Sequence, residues 1–190
     1  LDVLCSMGAN IARDNEHEEA GEPIGNLRVR SSRLQATEVQ GDWVVRMIDE
    51  FPVFALAAAC ASGETVVRDA TELRHKESDR VSALCSEMRR LGVEIREKPD
   101  GFTVIGGPLA GGTADACGDH RLAMSLALAG LVSHHPATVQ QAEILGESYP
   151  AFLCTLARLG VNLTTAPSSR ETVPWADMPL ENCAEEEFLP

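Results

Sequence analysis

The densest group of ionisable side chains is the segment Glu72-Leu73-Arg74-His75-Lys76-Glu77-Ser78-Asp79-Arg80, which precedes a stretch with apolar residues at helical spacing as far as Leu91. A helix beginning near Lys76 sets Lys76 and Arg80 four residues apart on one face. There both can grip a single anion, helped by the positive end of the helix dipole. Glu77 projects beside them, within reach of proton exchange with a bound ligand. The plainer reading of the same string is a solvated first turn stitched by ion pairs, each worth only tenths of a kcal/mol.

Two further charged starts bear on the choice. Asp49-Glu50 stands before Phe51-Pro52 and a long apolar run, and Asp119-His120-Arg121 stands before another. Asp49 can serve as an N-cap, or accept a proton from a substrate hydroxyl. Arg121 suits a carboxylate or phosphate, because its planar fork bonds two oxygens at once; otherwise Asp119 caps the helix and Arg121 faces solvent. His120, His134 and His135 lack metal-ligand spacing, and the last two read as loop residues.

The elements that must hold these residues come from an internal repeat. The phrases LCSMGANI (4–11), LCSEMRRLGVEI (84–95) and LCTLARLGVNL (153–163) each give a helix, a glycine (Gly8, Gly92, Gly160) and a short apolar stretch. That is the pattern of a helix stopped by a left-handed glycine and followed by a strand. The apolar runs Phe51–Ala61 and Leu122–Val132 read as buried helices, followed by strands at 65–68 and at Thr138-Val139. The fold class predicted is α/β, with repeated β-α-β-α-β-β units and buried parallel helices faced by sheets. The repeat also places Asp49, the Lys76–Arg80 block and Arg121 at helix beginnings that converge on one face.

Residues 12–26 are polar and acidic and read as a surface loop. Residues 164–190 carry four prolines and the run Glu185–Glu187, so residues 1–163 are predicted to form the domain and 164–190 an acidic tail outside it. The glycines at 106, 107, 111 and 112 flank Pro108–Ala110 without the lysine of a phosphate-binding loop, and read as a turn between strands.

With 190 residues, 44% hydrophobic and 24% charged, the chain has the composition of a globular protein with one good core. A formal net charge of -13 argues against a broad nucleic-acid footprint, so any anion site is a local basic cluster. The longest apolar runs fall well short of the roughly 20 residues that span a bilayer, so no membrane is implicated. Six cysteines without a C-x-x-C pair point to neither zinc nor redox chemistry and read as small buried hydrophobes of a reducing cytoplasm. The opening LDVLCSMGANI reads as the end of a helix running into a strand, which places the first residue inside an element, with sequence upstream of it.

Three blocks, Ile48-Asp49-Glu50-Phe51-Pro52, Arg74 to Arg80 (RHKESDR) and Gly118 to Met124 (GDHRLAM), resemble in order and spacing the signature blocks of the 3-phosphoshikimate 1-carboxyvinyltransferase family. The resemblance covers about Leu1 to Leu163. It implies a two-domain enzyme with its active site in the cleft between domains. That enzyme moves the enolpyruvyl group of phosphoenolpyruvate to the 5-hydroxyl of shikimate 3-phosphate and releases phosphate, in the route to aromatic amino acids. This chain would supply most of one domain and be inactive without the missing amino-terminal portion; no metal or organic cofactor is implied. Carried over by motif, Asp49 is the carboxylate at the attacking hydroxyl and Glu77 exchanges a proton at the methylene carbon of phosphoenolpyruvate. Lys76 approaches the shikimate hydroxyl, Arg80 and Arg121 hold the anionic groups of phosphoenolpyruvate, and His120 supports the site. Glu147 stands before Ser148-Tyr149-Pro150 where many members carry a lysine, which removes one expected cation. Two other readings remain: a relative of UDP-N-acetylglucosamine enolpyruvyl transferase, which the KESDR and GDHRLAM strings fit less well, and a non-catalytic homologue that binds anions.

Overall fold

The computed structural model describes residues 1–76 and 78–165. Glu77 and the chain from 166 onward, with most of the predicted tail, lie outside the described residues. The elements in chain order are α1 (Asp2–Ser6), β1 (Asn10–Glu19), β2 (Glu22–Arg30), β3 (Glu38–Val39), α2 (Asp42–Arg46), α3 (Phe51–Ala59) and β4 (Glu64–Val67). A 3-10 turn over Thr71–His75 leads to α4 (Arg80–Arg90), β5 (Glu94–Lys98), β6 (Gly101–Ile105), β7 (Gly112–Asp115), α5 (His120–Ala129), β8 (Ala137–Gln140), α6 (Leu145–Ser148) and α7 (Phe152–Arg158).

The predicted repeat is visible in the pairing. β3 and β4 lie parallel with α3 between them in sequence, and β7 and β8 lie parallel with α5 between them. In the central copy the chain then passes through α4 into the antiparallel pair β5 and β6, and β6 closes on β4, giving the sheet order β3-β4-β6-β5. The first copy contributes α1, β1 and β2, and the third ends at α7. The glycine of each copy adopts the left-handed conformation, with φ of 92° at Gly8, 89° at Gly92 and 87° at Gly160. Only glycine takes that conformation without strain. Behind Gly160 the described residues form no strand, so the third copy lacks the one expected there.

α3 has alanine and phenylalanine on nearly every side because it is covered on nearly every side: Phe51, Phe54, Ala55, Leu56, Ala58 and Ala59 are all buried. It packs against α5 and against β6, where the Phe102 ring meets Phe51 edge-on at 6.1 Å between centroids. α4 is amphipathic instead, burying Val81, Leu84, Cys85 and Met88 toward the sheet. Burying a side chain the size of Phe51 contributes roughly 1.5–3 kcal/mol, and here that burial also fixes the helix start next to Asp49.

The link from β6 to β7 runs close to other backbone. A side chain on Gly106 would collide with the Ala61 carbonyl, and one on Gly111 with the His135 carbonyl. The glycines of 106–112 are thus spacers of a connection between strands, as predicted, although the strands belong to different sheets.

Several expectations are corrected. Residues 12–26 are not a loop: they form most of the hairpin β1–β2, turned at Ala20 and Gly21 (φ 52° and 86°). The pattern was hidden because nearly every residue of the hairpin is exposed on both faces and a bulge near Asn15 breaks the alternation. The two apolar helices end at Ala59 and Ala129, short of the runs read from sequence. Among the described cysteines only Cys85 is buried; Cys5 and Cys60 are exposed, Cys117 is half-buried, and Cys154 is disulfide-bonded, so small buried hydrophobe fits one of these five.

Candidate active site

The beginnings of α3, α4 and α5 come together. Asp49 Oδ1 lies 3.3 Å from Arg80 Nη1 and 3.7 Å from Lys76 Nζ, and its Oδ2 lies 3.5 Å from Arg121 Nη2. One carboxylate therefore faces three cations drawn from two helix starts and the turn between β4 and α4. The Asp49 side chain keeps 42% of its surface exposed, Arg121 35% and Lys76 28%, whereas Arg80 has none.

Local structure explains each position. The backbone of Glu50, not Asp49, caps α3, and no side chain caps that helix, which leaves the Asp49 carboxylate to the cations. α4 begins at Arg80, four residues later than the sequence suggested, because Asp79 is its N-cap and accepts from the Ser82 N–H at 3.0 Å. Lys76 follows the 3-10 turn in an extended conformation, so it does not share a helical face with Arg80. It arrives at the same carboxylate by the path of the loop. Arg74 holds that loop in place, donating to Asp79 at 2.8 Å, to Glu97 at 2.9 Å and to the carbonyls of Lys98 and Pro99 at 2.6 and 2.9 Å.

Asp119 serves two elements at once. Its Oδ1 accepts from the N–H groups of Arg121 and Leu122, capping α5, and its Oδ2 accepts from Arg80 Nε at 2.6 Å. Both partners of this pair are wholly buried. The approach to α5 is a tight turn with Cys117 and Gly118 at φ 53° and 70°, anchored where the Asp115 N–H donates to the buried Glu87 at 2.8 Å. Arg121 emerges from this cap and also reaches the Asp49 carbonyl and the Glu50 carboxylate. His120, the first residue of α5, is half-buried, and no described residue hydrogen-bonds its ring.

The electrostatics follow from the geometry. Partial burial pushes the Asp49 carboxyl up, but the Arg121 charge, the hydrogen bond from Arg80 and the charges of Lys76 and Arg80 outweigh it and hold Asp49 below the ordinary carboxylate range. A carboxylate in that state is a poor base until its cations find another partner. Among the described residues no His, Cys, Asp and Glu set is arranged to hold a metal, and no helix is long and apolar enough to cross a membrane.

Of the residues singled out from the sequence, Asp49, Lys76, Arg80 and Arg121 meet, His120 stands at the start of α5, and Glu77 is outside the described residues. Glu147 is exposed on α6 and pairs with no described cation. Sequence reading missed Arg74 and undervalued Asp119. Asp119 was legible as a cap but not as the partner of Arg80, 39 residues away. A groove of about 410 Å³ between α1, α2 and α3, lined by Leu1, Trp43, Met47 and Phe54, shares only Glu50 with this neighbourhood among the described residues, and Arg46 is the one basic side chain described in its lining, so it is not the candidate site.

The repeated sheet-and-helix units have the fold of an enolpyruvyl transferase. The chain superposes on the enolpyruvyl transferase NikO from Streptomyces tendae with a TM-score of 0.66 at 25% identity, covering 87% of this chain and 36% of that one. More narrowly, the chain belongs to the EPSP synthase (3-phosphoshikimate 1-carboxyvinyltransferase) family, whose sequence profile matches residues 1–156. It is 49% identical over 160 residues to the 3-phosphoshikimate 1-carboxyvinyltransferase of Gloeobacter violaceus, and 51% identical over 160 residues to that of Synechococcus elongatus. Each alignment covers 84% of this chain, but only 37% and 36% of the relative. An EPSP synthase structure from Acinetobacter baumannii superposes with a TM-score of 0.78 at 36% identity, over 83% of this chain and 37% of that one. The chain thus spans little more than a third of the length of these relatives.

Proposed function

We propose that the complete protein containing this chain is an enolpyruvyl transferase acting on phosphoenolpyruvate and shikimate 3-phosphate in the cytoplasm, in the route to aromatic amino acids, with phosphate as the leaving product. In this reading residues 1–163 form most of one domain, 164–190 lie outside it, and the remaining cleft residues come from a partner domain of the same enzyme. The observation that carries it is the meeting of Asp49 with Lys76, Arg80 and Arg121 at three helix beginnings, in a chain whose relatives bear that activity.

The chemistry suits the arrangement. Addition of the hydroxyl to phosphoenolpyruvate builds charge at the reacting carbon, and elimination expels phosphate, so fixed cations favour both steps. Asp49 takes the proton of the attacking hydroxyl, and Glu77 exchanges a proton with the methylene carbon. Lys76 approaches the shikimate hydroxyl, Arg80 and Arg121 hold the anionic groups of phosphoenolpyruvate, and His120 supports the site. No cofactor enters.

The test is phosphate release by the complete protein from the two substrates, with Asp49→Ala lowering kcat by about 10²–10⁴-fold, the usual worth of a positioned acid-base group, while shikimate 3-phosphate binding measured by calorimetry is largely kept. No phosphate release by the complete wild-type protein sinks the reading. Release only with UDP-N-acetylglucosamine as acceptor moves the protein to the sister activity.

A further inference from the structure

The three cations that the proposed function assigns to substrate are already in use. Asp49 holds Lys76, Arg80 and Arg121 within 3.3–3.7 Å, and Arg80 has no exposed surface at all. An incoming anion reaches Arg80 only if something moves. Asp119, wholly buried and doubly bonded, is fixed. Of the two described carboxylates on Arg80, Asp49 is the one with room to move: it is 42% exposed, bonds no helix cap, and its ion-pair distances are those of loose contacts beside the 2.6 Å bond to Asp119.

We infer that Asp49 is a resident anion that holds the cation cluster until phosphate or carboxylate oxygens displace it, so that filling the anion seat is what turns Asp49 into a base. The inference rests on the proposed function and adds to it an order of events. Before binding, the carboxylate stabilises the cations and is too weakly basic to take a hydroxyl proton. When phosphate or carboxylate oxygens engage Arg121, Arg80 and Lys76, their charge is answered from outside and the hold on Asp49 lapses. The groups that face it are then the same three cations, now shared, with Glu50 from the start of α3 beside Arg121 and Asp119 behind Arg80. Two of these are anions, and both favour protonation of Asp49. The proton it gains comes from the acceptor hydroxyl, and the oxygen so freed attacks the enolpyruvyl carbon.

A resident anion makes an unusual demand: removing it must tighten binding of the competitor, although it is also the proposed base. Inorganic phosphate is the probe, titrated by calorimetry at low ionic strength into the complete wild-type protein and into its Asp49→Asn variant, which keeps the size of the side chain and loses its charge. The expected result is about tenfold tighter phosphate binding by the variant, equivalent to about 1.4 kcal/mol. Equal or weaker binding by Asp49→Asn overturns the inference and leaves the proposed function standing. Phosphate binding by neither protein removes the anion seat itself, and with it both. Because the variant must fold for the comparison, a second measurement uses wild type alone: a pH titration of the Asp49 carboxyl carbon by NMR, with and without saturating phosphate. A pKa that rises with phosphate supports displacement, and one that stays or falls refutes it.

Discussion

The starts of α3 and α5 occupy the same place in two copies of one repeat, yet their aspartates do opposite work. Asp119 is sealed from water, caps its helix with one oxygen and binds Arg80 with the other. Asp49 caps nothing, stands half in water and faces three cations at longer range. Two helix starts of one repeated pattern thus carry two aspartates, one sealed into the structure and the other open to solvent. Burial decides between the roles, because a buried charge cannot be spared by its partner whereas a half-exposed one is compensated by solvent.

The sharpest way to break this contrast is to neutralise each aspartate in turn. Asp119→Asn leaves the buried Arg80 without the closest of its described counter-charges and is expected to cost about 3 kcal/mol of stability, the lower end of the range for breaking a buried pair. For a chain of this size that lowers Tm by roughly 6–12 °C. Asp49→Asn is expected to change stability by less than about 1 kcal/mol, as for an exposed pair. Urea unfolding of the two variants checks both, and equal losses would erase the distinction.

A smaller effect tests the repeat. Gly92 and Gly160 share the same left-handed φ, but a Cβ at Gly92 would press on Ala110 at 2.8 Å whereas one at Gly160 meets no described residue within 4 Å. Gly160→Ala is expected to cost about 1 kcal/mol from backbone conformation alone, and Gly92→Ala about 1 kcal/mol or more beyond that. Equal unfolding midpoints would mean that the two helix ends are not crowded differently.

The smallest effect lies in pH. Because Asp49 titrates below the ordinary carboxylate range when folded, its ion pairing stabilises the protein fully above that range, and the contribution disappears as pH falls through its own lowered pKa. Solvent screening limits this to a few tenths of a kcal/mol. The stability difference between wild type and Asp49→Asn should therefore shrink on acidification from neutral pH and vanish in strong acid.

The sequence carried the fold through its punctuation. The glycines at 8, 92 and 160 and the apolar runs of α3 and α5 made the repeat legible, and the repeat in turn placed Asp49 and Arg121 at like positions. Its limits are physical. A helix start is set by which polar side chain wins the free N–H groups, and Asp79 won over Lys76, a contest that spacing alone does not decide. Pairing across 39 residues, as between Arg80 and Asp119, leaves no local trace. The β1–β2 hairpin hid for a different reason: without a buried face there is no selection for alternation.

That hairpin has one more consequence. Within the described residues it forms a sheet of two strands, so the outer sides of both carry backbone donors and acceptors with no neighbour, and Ile24, Leu27 and Val29 stand 43%, 52% and 67% exposed beside them. Such a ribbon is adhesive toward its own kind. Concentrated solutions of this polypeptide should cloud or gel sooner than its acidity of -13 would suggest, and a lysine in place of Val29 should keep them clear.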